Sequence, residues 1–231
     1  MADLSDIAVI IPVREGSSRI EKKIFLPFHN GMSLLEWKID QLRQVQSADR
    51  IFISSNSTRV EDIAGATGVE FLPRDDYLSV GHQASFSEVI CGVVQQVPTA
   101  HFAWVTVVVP LMHPREYAEG FALYLDQVVR QERFDSLVSV NLLKEYFWDD
   151  KGPLNYRADR EHTISQELPN IYRVTNGLYM RSRADTLREG YFLGPNPLRH
   201  RVRKLAGIDI DEREDYEAAL AMKTLYDADS A

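Results

Sequence analysis

The stretch Ile7-Ala8-Val9-Ile10-Ile11-Pro12-Val13-Arg14-Glu15-Gly16-Ser17-Ser18-Arg19-Ile20-Glu21-Lys22-Lys23 decides the reading of the fold. Residues 7–13 are apolar without interruption and run into a proline turn. A run of this kind reads as a strand buried on both faces, as in parallel sheets covered by helices on each side. The loop that follows is small and basic. Gly16, Ser17 and Ser18 allow backbone N–H groups to approach an anion closely, and Arg14, Arg19, Lys22 and Lys23 supply fixed cations. The loop can therefore hold a polyphosphate, although a solvated loop with ordinary surface charges has the same composition. It lacks the Gly-Lys-Ser/Thr of a P-loop, and its single glycine does not make a dinucleotide fingerprint.

Outward from this strand, strand and helix patterns alternate. Leu34, Leu35, Ile39, Leu42 and Val45 recur at helical spacing over 32–46. Strands are expected over 50–54, 68–72, 102–109 and 136–140, and helices over 60–67, 85–97, 114–131 and 212–226. Such alternation gives a mostly parallel, doubly wound α/β sheet. Ligands of such sheets bind beyond the carboxyl ends of the strands, where residues 14–23 fall. Residues 144–180 break the pattern: Tyr146, Phe147, Trp148, Tyr156, Tyr172 and Tyr179 are interspersed with turn residues such as Asp149, Asp150, Gly152 and Pro153. This reads as antiparallel strands or an extended excursion that covers the site or pairs with a second subunit.

The second segment with chemistry in it is Gly207-Ile208-Asp209-Ile210-Asp211. Read as a strand, it places both carboxylates on one face. Mg²⁺ is commonly held by one or two carboxylates, with phosphate and water oxygens completing its shell. Asp211 also suits the N-cap of the last helix. Asp209, between two isoleucines, is harder to explain structurally, because burying an unpaired carboxylate is costly. A phosphate-holding loop and a metal-holding pair together point to nucleotidyl transfer.

The bulk composition agrees with one domain over 1–231. With 231 residues and 45% hydrophobic content the chain can bury a substantial core, and its formal net charge of −8 argues against bulk nucleic-acid binding. A lone Cys91 excludes an intramolecular disulfide. The acidic start does not read as a signal peptide, and no apolar run reaches membrane-spanning length, so the expectation is a cytoplasmic protein without membrane contact. His82, His101, His113, His162 and His200 share no metal-ligand spacing. The basic run Arg199–Lys204 reads as a solvated face or as a contact for an anionic acceptor or pyrophosphate.

The motifs, in order, resemble those of the acylneuraminate cytidylyltransferases, the CMP-sugar synthetases, with a relation to the 3-deoxy-manno-octulosonate enzymes. Ile11-Pro12-Val13-Arg14-Glu15-Gly16-Ser17 resembles the family's Ile-Pro-Ala-Arg-Gly-Gly-Ser, with Lys23 at the loop's end. Phe52-Ile53-Ser54-Ser55-Asn56 is similar to Val-Ser-Thr-Asp. Arg74, Leu78 and Ser85 resemble Arg-Pro-x-x-Leu with its downstream Ser. Ser165-Gln166-Glu167-Leu168-Pro169-x-x-Tyr172, Asn176-Gly177-x-Tyr179 and Asp209-Ile210-Asp211 with Asp215 complete the series.

The resemblance implies a Rossmann-like, three-layer nucleotidyltransferase domain with a mostly parallel sheet and a β-rich dimerisation excursion over 144–180. It implies that Arg14, Gly16, Ser17, Arg19 and Lys23 hold the CTP phosphates and that Arg74 and Ser85 contact the cytidine. Gln166, Asn176 and Tyr179 would lie near the acceptor, and Asp209 and Asp211 would bind Mg²⁺. Arg14, Lys23, Asp209 and Asp211 would carry catalysis. The implied partners are CTP, an acidic sugar or other small acid, and a second copy of the chain.

Departures fall on the acceptor and cytidine segments. Where the family has Gln-x-Thr-Ser-Pro-Leu, this chain has Thr106-Val107-Val108-Val109-Pro110-Leu111, and Asp75 follows Arg74 in place of proline. Three valines are expected to narrow or dry the acceptor pocket. This favours a changed acceptor, a phosphonate or another small acid, over loss of activity. An octulosonate acceptor and an inactive nucleotide-binding dimer are the other readings.

Overall fold

A computed structural model describes residues 3–16, 19–80 and 83–228. The first strand, β1 (Ile7–Pro12), lies inside a seven-stranded sheet. Its alternate side chains serve two cores: Ile7, Val9 and Ile11 face one, Ala8 and Ile10 the other. That two-sided burial is why the run is apolar without alternation.

The chain continues through a small hairpin, β2 (Pro27–His29) and β3 (Met32–Ser33), into α1 (Leu34–Arg43). Ser33 and Glu36 form a capping box that fixes the start of this helix. There follow β4 (Ile51–Ser55), α2 (Thr58–Thr67), β5 (Glu70–Pro73), α3 (Asp76–Ser79), α4 (Phe86–Val94), β6 (His101–Trp104) and α5 (Pro114–Leu123). Gly68 ends α2 at φ 72°, a left-handed cap that glycine adopts without a Cβ clash. The remaining elements are β7 (Ser136–Leu143), β8 (Trp148–Asp149), β9 (Gly152–Pro153), β10 (Ile171–Ser182), α6 (Arg183–Glu189), β11 (Pro197–Arg201) and α7 (Arg213–Ala228).

The main sheet runs β11-β7-β10-β6-β1-β4-β5. β10 is antiparallel to both neighbours, and the other pairings are parallel. One core takes side chains from α1, α2, α5 and α7; the other takes Ile90, Val93 and Val94 of α4, with Phe192. The three-layer, mostly parallel architecture is thus the one expected. From β1 the chain winds outward to β4 and β5, then returns to place β6 on β1's other side. Such a reversal opens a crevice at the carboxyl ends of the two strands.

Several expected elements differ. The strand over 102–109 stops at Trp104. Beyond it the carbonyls of Val109, Pro110 and Met112 are taken by side chains of α1, so this apolar run needs no neighbouring strand. Residues 207–211 are not a strand either. Leu205–Gly207 is a short 3₁₀ turn, and Ile210 N–H then bonds to Val108 O at 2.8 Å. Asp211 does not cap α7: Asp215 reaches back and accepts from the N–H groups of Asp211 and Glu212 at 3.0 and 2.7 Å. The 144–180 stretch is less β-rich than expected, since only the β8–β9 pair is its own and 171–180 belongs to the main sheet.

Candidate active site

A cavity of about 540 Å³ occupies the crevice between β1 and β6. Pro12, Val13 and Arg14 line it from the end of β1, Trp104 and Thr106 from the end of β6, and Arg74 from just past β5. Asn176 and Tyr179 of β10 and the carboxylates Asp209 and Asp211 close the far wall.

The cationic side is rigid. Arg74 is 6% exposed, bonds to Val13 O at 2.6 Å and to Ser79 Oγ at 3.0 Å, and is thereby fixed on the loop after β1. Burial, with the nearby Arg14 charge, pulls its guanidinium down to about 10. Two like charges converging on one cavity need an anion for company. Glu15 accepts from Ser57 Oγ, so the start of the loop is held against α2. Ser17 lies outside the described residues.

The acidic side is held by a chain of contacts. Ile210, between the two aspartates, is fixed through its N–H to Val108 O and through its carbonyl to Lys23 Nζ. Arg19 pairs with Asp211 at 2.6 Å, and Lys23 lies 3.6 Å from the same oxygen. The loop after β1 and the aspartate segment, far apart in sequence, are thus joined directly. Asp209 Oδ2 accepts from Asn176 Nδ2 at 2.8 Å, and Tyr179 OH donates to Asn176 Oδ1 at 2.6 Å. Asn176 can offer both groups because it sits at φ 58°, where β10 shifts register between Val174 and Tyr179.

Asp209 Oδ1 is buried without a hydrogen-bond partner. Desolvation raises the Asp209 pKa, and the neighbouring Asp211 and Asp215 charges add to the rise against the Asn176 bond and Lys23. A lone buried oxygen beside a second carboxylate is a donor set that fits a hard cation. Among the described residues no group of three or more His, Cys, Asp or Glu could hold a metal ion. The pair would therefore need substrate oxygens to complete the shell, which is how Mg²⁺ is usually bound beside phosphates.

Arg14, Arg74, Asn176, Tyr179, Asp209 and Asp211 thus line one cavity, with Arg19 and Lys23 bound to its acidic edge. Other expected residues do not line it. Ser85 is the N-cap of α4, bonded reciprocally with Glu88, while Ala84 and Phe86 on either side face the cavity. Gln166 is exposed on a 3₁₀ turn and bonds to Ser165. Gly16 is exposed with open space around it. Val107 and Val109 are buried in the core, so only Val108 and Thr106 replace polar family positions at the wall. Within the 199–204 run, Arg199 covers Tyr172, His200 bonds to Glu116 O, and Arg203 pairs with Glu116, and none of the six residues lines the cavity.

Sequence reasoning passed over the aromatic wall. Phe192 packs on Tyr179 at 4.2 Å, on Phe86 at 5.6 Å and on Trp104 at 5.9 Å. Isolated aromatics in α/β sequences read as core, and nothing in their spacing marks these as cavity residues.

The "Cytidylyltransferase" family model matches residues 8–101. The N-acylneuraminate cytidylyltransferase of Escherichia coli O18:K1:H7 is 23% identical over 227 residues, covering 94% of this chain and 52% of its own length. That of Streptococcus agalactiae serotype V is 24% identical over 216 residues, covering 90% and 51%. Over these spans the chain is similar to cytidylyltransferases. It spans about half the length of these curated relatives. Among solved cytidylyltransferase folds, a CMP:2-keto-3-deoxy-manno-octonic acid synthetase complexed with CTP superposes with a TM-score of 0.66 at 15% identity, covering 95% of this chain and 98% of its own. The 4-diphosphocytidyl-2C-methyl-D-erythritol synthase of Anaerococcus prevotii gives 0.61 at 13% identity, covering 94% and 96%. Among the described residues, no helix is long and apolar enough to cross a membrane.

Proposed function

We propose that the chain transfers a cytidylyl group from CTP to an acidic small molecule, releasing pyrophosphate. The observation that carries this reading is that Asp209, with a buried and unpartnered Oδ1, and Asp211 line the same cavity as Arg14 and Arg74. One wall suits a phosphate chain and the other suits the cation that accompanies it.

Arg14, Arg19 and Lys23 would hold the phosphates of CTP, with Arg19 leaving its exposed pair to Asp211. An exposed ion pair is worth little, so this exchange costs little. Arg74, already anchored to the β1 loop, would orient the nucleotide and offset its charge. Asp209 and Asp211 would hold Mg²⁺, which when bound offsets charge on the transferring phosphate and lowers the acceptor hydroxyl pKa. Asn176 fixes Asp209, and Tyr179 fixes Asn176. The acceptor hydroxyl attacks the α-phosphorus in line, one P–O bond forms as that to pyrophosphate breaks, and the hydroxyl proton passes to solvent. Positioning and fixed charge supply most of the rate.

The acceptor reading rests on the family likeness: an acylneuraminate-like sugar acid. Val108 at the cavity wall favours the second reading, a phosphonate or other small acid with fewer hydroxyls. The homologous assembly would be a homodimer formed through 144–180, where Trp148 and Leu154 are 62% and 61% exposed. Aromatic residues are enriched at such interfaces. The nucleotide is tested by thermal shift with Mg²⁺. CTP is expected to raise the melting temperature more than ATP, GTP or UTP; equal shifts for all four remove the cytidine assignment.

A further inference from the structure

Lys38 lies on α1, outside the cavity, and is fully buried. Its Nζ donates to Val109 O at 2.8 Å and meets Tyr117 OH at 2.7 Å. On either side of it in the helix, Trp37 Nε1 donates to Pro110 O, and Gln41 Nε2 to Pro110 O and Met112 O, each at 2.9 Å. The segment after β6 contains a proline and has no strand partner for these carbonyls. α1 supplies the partners from side chains. Every one of these donors is used, while Gln41 Oε1 is buried without a partner, and the bonds tie the segment to α1 in one geometry.

What this segment holds is the acidic wall. Val108, next to the carbonyl that Lys38 grips, accepts the Ile210 N–H at 2.8 Å, and Ile210 sits between Asp209 and Asp211. We propose that Lys38 is a positioning residue: by fixing Val109 it fixes Val108, and through the Val108–Ile210 bond it sets the placement of the two carboxylates for metal and nucleotide. This rests on the reading of Asp209 and Asp211 as a metal-holding pair.

The groups facing Lys38 bear on its charge. From α5 come Tyr117 and Glu116; from α7, Tyr226 is joined to the network through Gln41. Glu116, which also pairs with Arg203 and accepts from the His113 N–H, favours the Lys38 ammonium, but less than burial disfavours it. Desolvation pulls the Lys38 ammonium down to about 7.

The test compares Lys38→Met with Ile39→Val, a nearby core change on the same helix that leaves the polar network intact. Exchange of the Ile210 amide is followed by NMR, and Mn²⁺ binding in the presence of CTP by EPR. Lys38→Met is expected to speed Ile210 exchange and weaken Mn²⁺ binding, each about tenfold. Ile39→Val is expected to change neither. Wild-type Ile210 protection and Mn²⁺ affinity in Lys38→Met would overturn the proposal. If Lys38→Met does not fold, Tyr117→Phe is read in its place, with about threefold effects expected and wild-type values contradicting the role. Asp209→Asn separates the two readings: if it leaves Mn²⁺ affinity unchanged, the metal pair itself is wrong and the positioning role falls with it.

Discussion

At the scale of single residues, the site stores an unfavourable feature that a ligand would relieve. Asp209 presents a buried oxygen with no partner and has two other carboxylates nearby. Removing its charge while keeping its shape should stabilise the metal-free chain. Asp209→Asn is expected to raise the metal-free melting point, by the equivalent of roughly 1–2 kcal/mol, and to abolish turnover. A lower melting temperature with turnover intact would show that Asp209 has a structural role only. Lys38 gives a pH signature. Its pKa is about 7 in the fold and about 10.4 in an unfolded chain. Between those values the unfolded chain binds the extra proton, so stability rises with pH through this window. The slope is at most about 1.4 kcal/mol per pH unit. Chemical denaturation at pH 7, 8 and 9 should show this rise in wild type and lose it in Lys38→Met.

At the scale of elements, the α4 cap separates a structural role from a ligand role. Ser85 bonds Glu88 reciprocally and is not part of the cavity lining, although Ala84 and Phe86 on either side are. Ser85→Ala should therefore cost about 1 kcal/mol of stability and leave the CTP-induced thermal shift unchanged. A lost shift would restore the cytidine contact that the family likeness implies. The strands at the centre of the sheet were readable because burial on two faces writes an unbroken apolar run, as in 7–12. The run 102–109 misled for the same reason: Val107 and Val109 are buried against α1 and its neighbours, in a segment whose carbonyls are satisfied by side chains. Periodicity does not distinguish these cases. The Asp209-x-Asp211 spacing gave the right shared cavity from the wrong element, since an extended segment outside a sheet also brings alternate residues to one side. β11 went unread because the basic composition of 199–204 masks a strand whose Arg199 and His200 are tied to neighbours.

At the scale of the whole molecule, topology rather than composition places the site. The chain reverses direction across the sheet between β1 and β6, and the cavity lies at their carboxyl ends. An acidic protein holds its basic residues there locally, against a net charge of −8. The exposed Trp148, Leu154 and Ile164 leave an apolar surface on the excursion. Sedimentation at micromolar concentration is expected to give a dimer, and Trp148→Glu with Leu154→Glu a monomer; a monomeric wild type would contradict that assembly. The central claim concerns chemistry, and pyrophosphate release tests it most directly. CTP and Mg²⁺ are incubated with a panel of keto-sugar acids and phosphonates, with Asp209→Asn as the blank. Release is expected with at least one acid, from CTP in preference to ATP, and none from the Asp209→Asn protein. No release with any acceptor, or equal release from the Asp209→Asn protein, would contradict it.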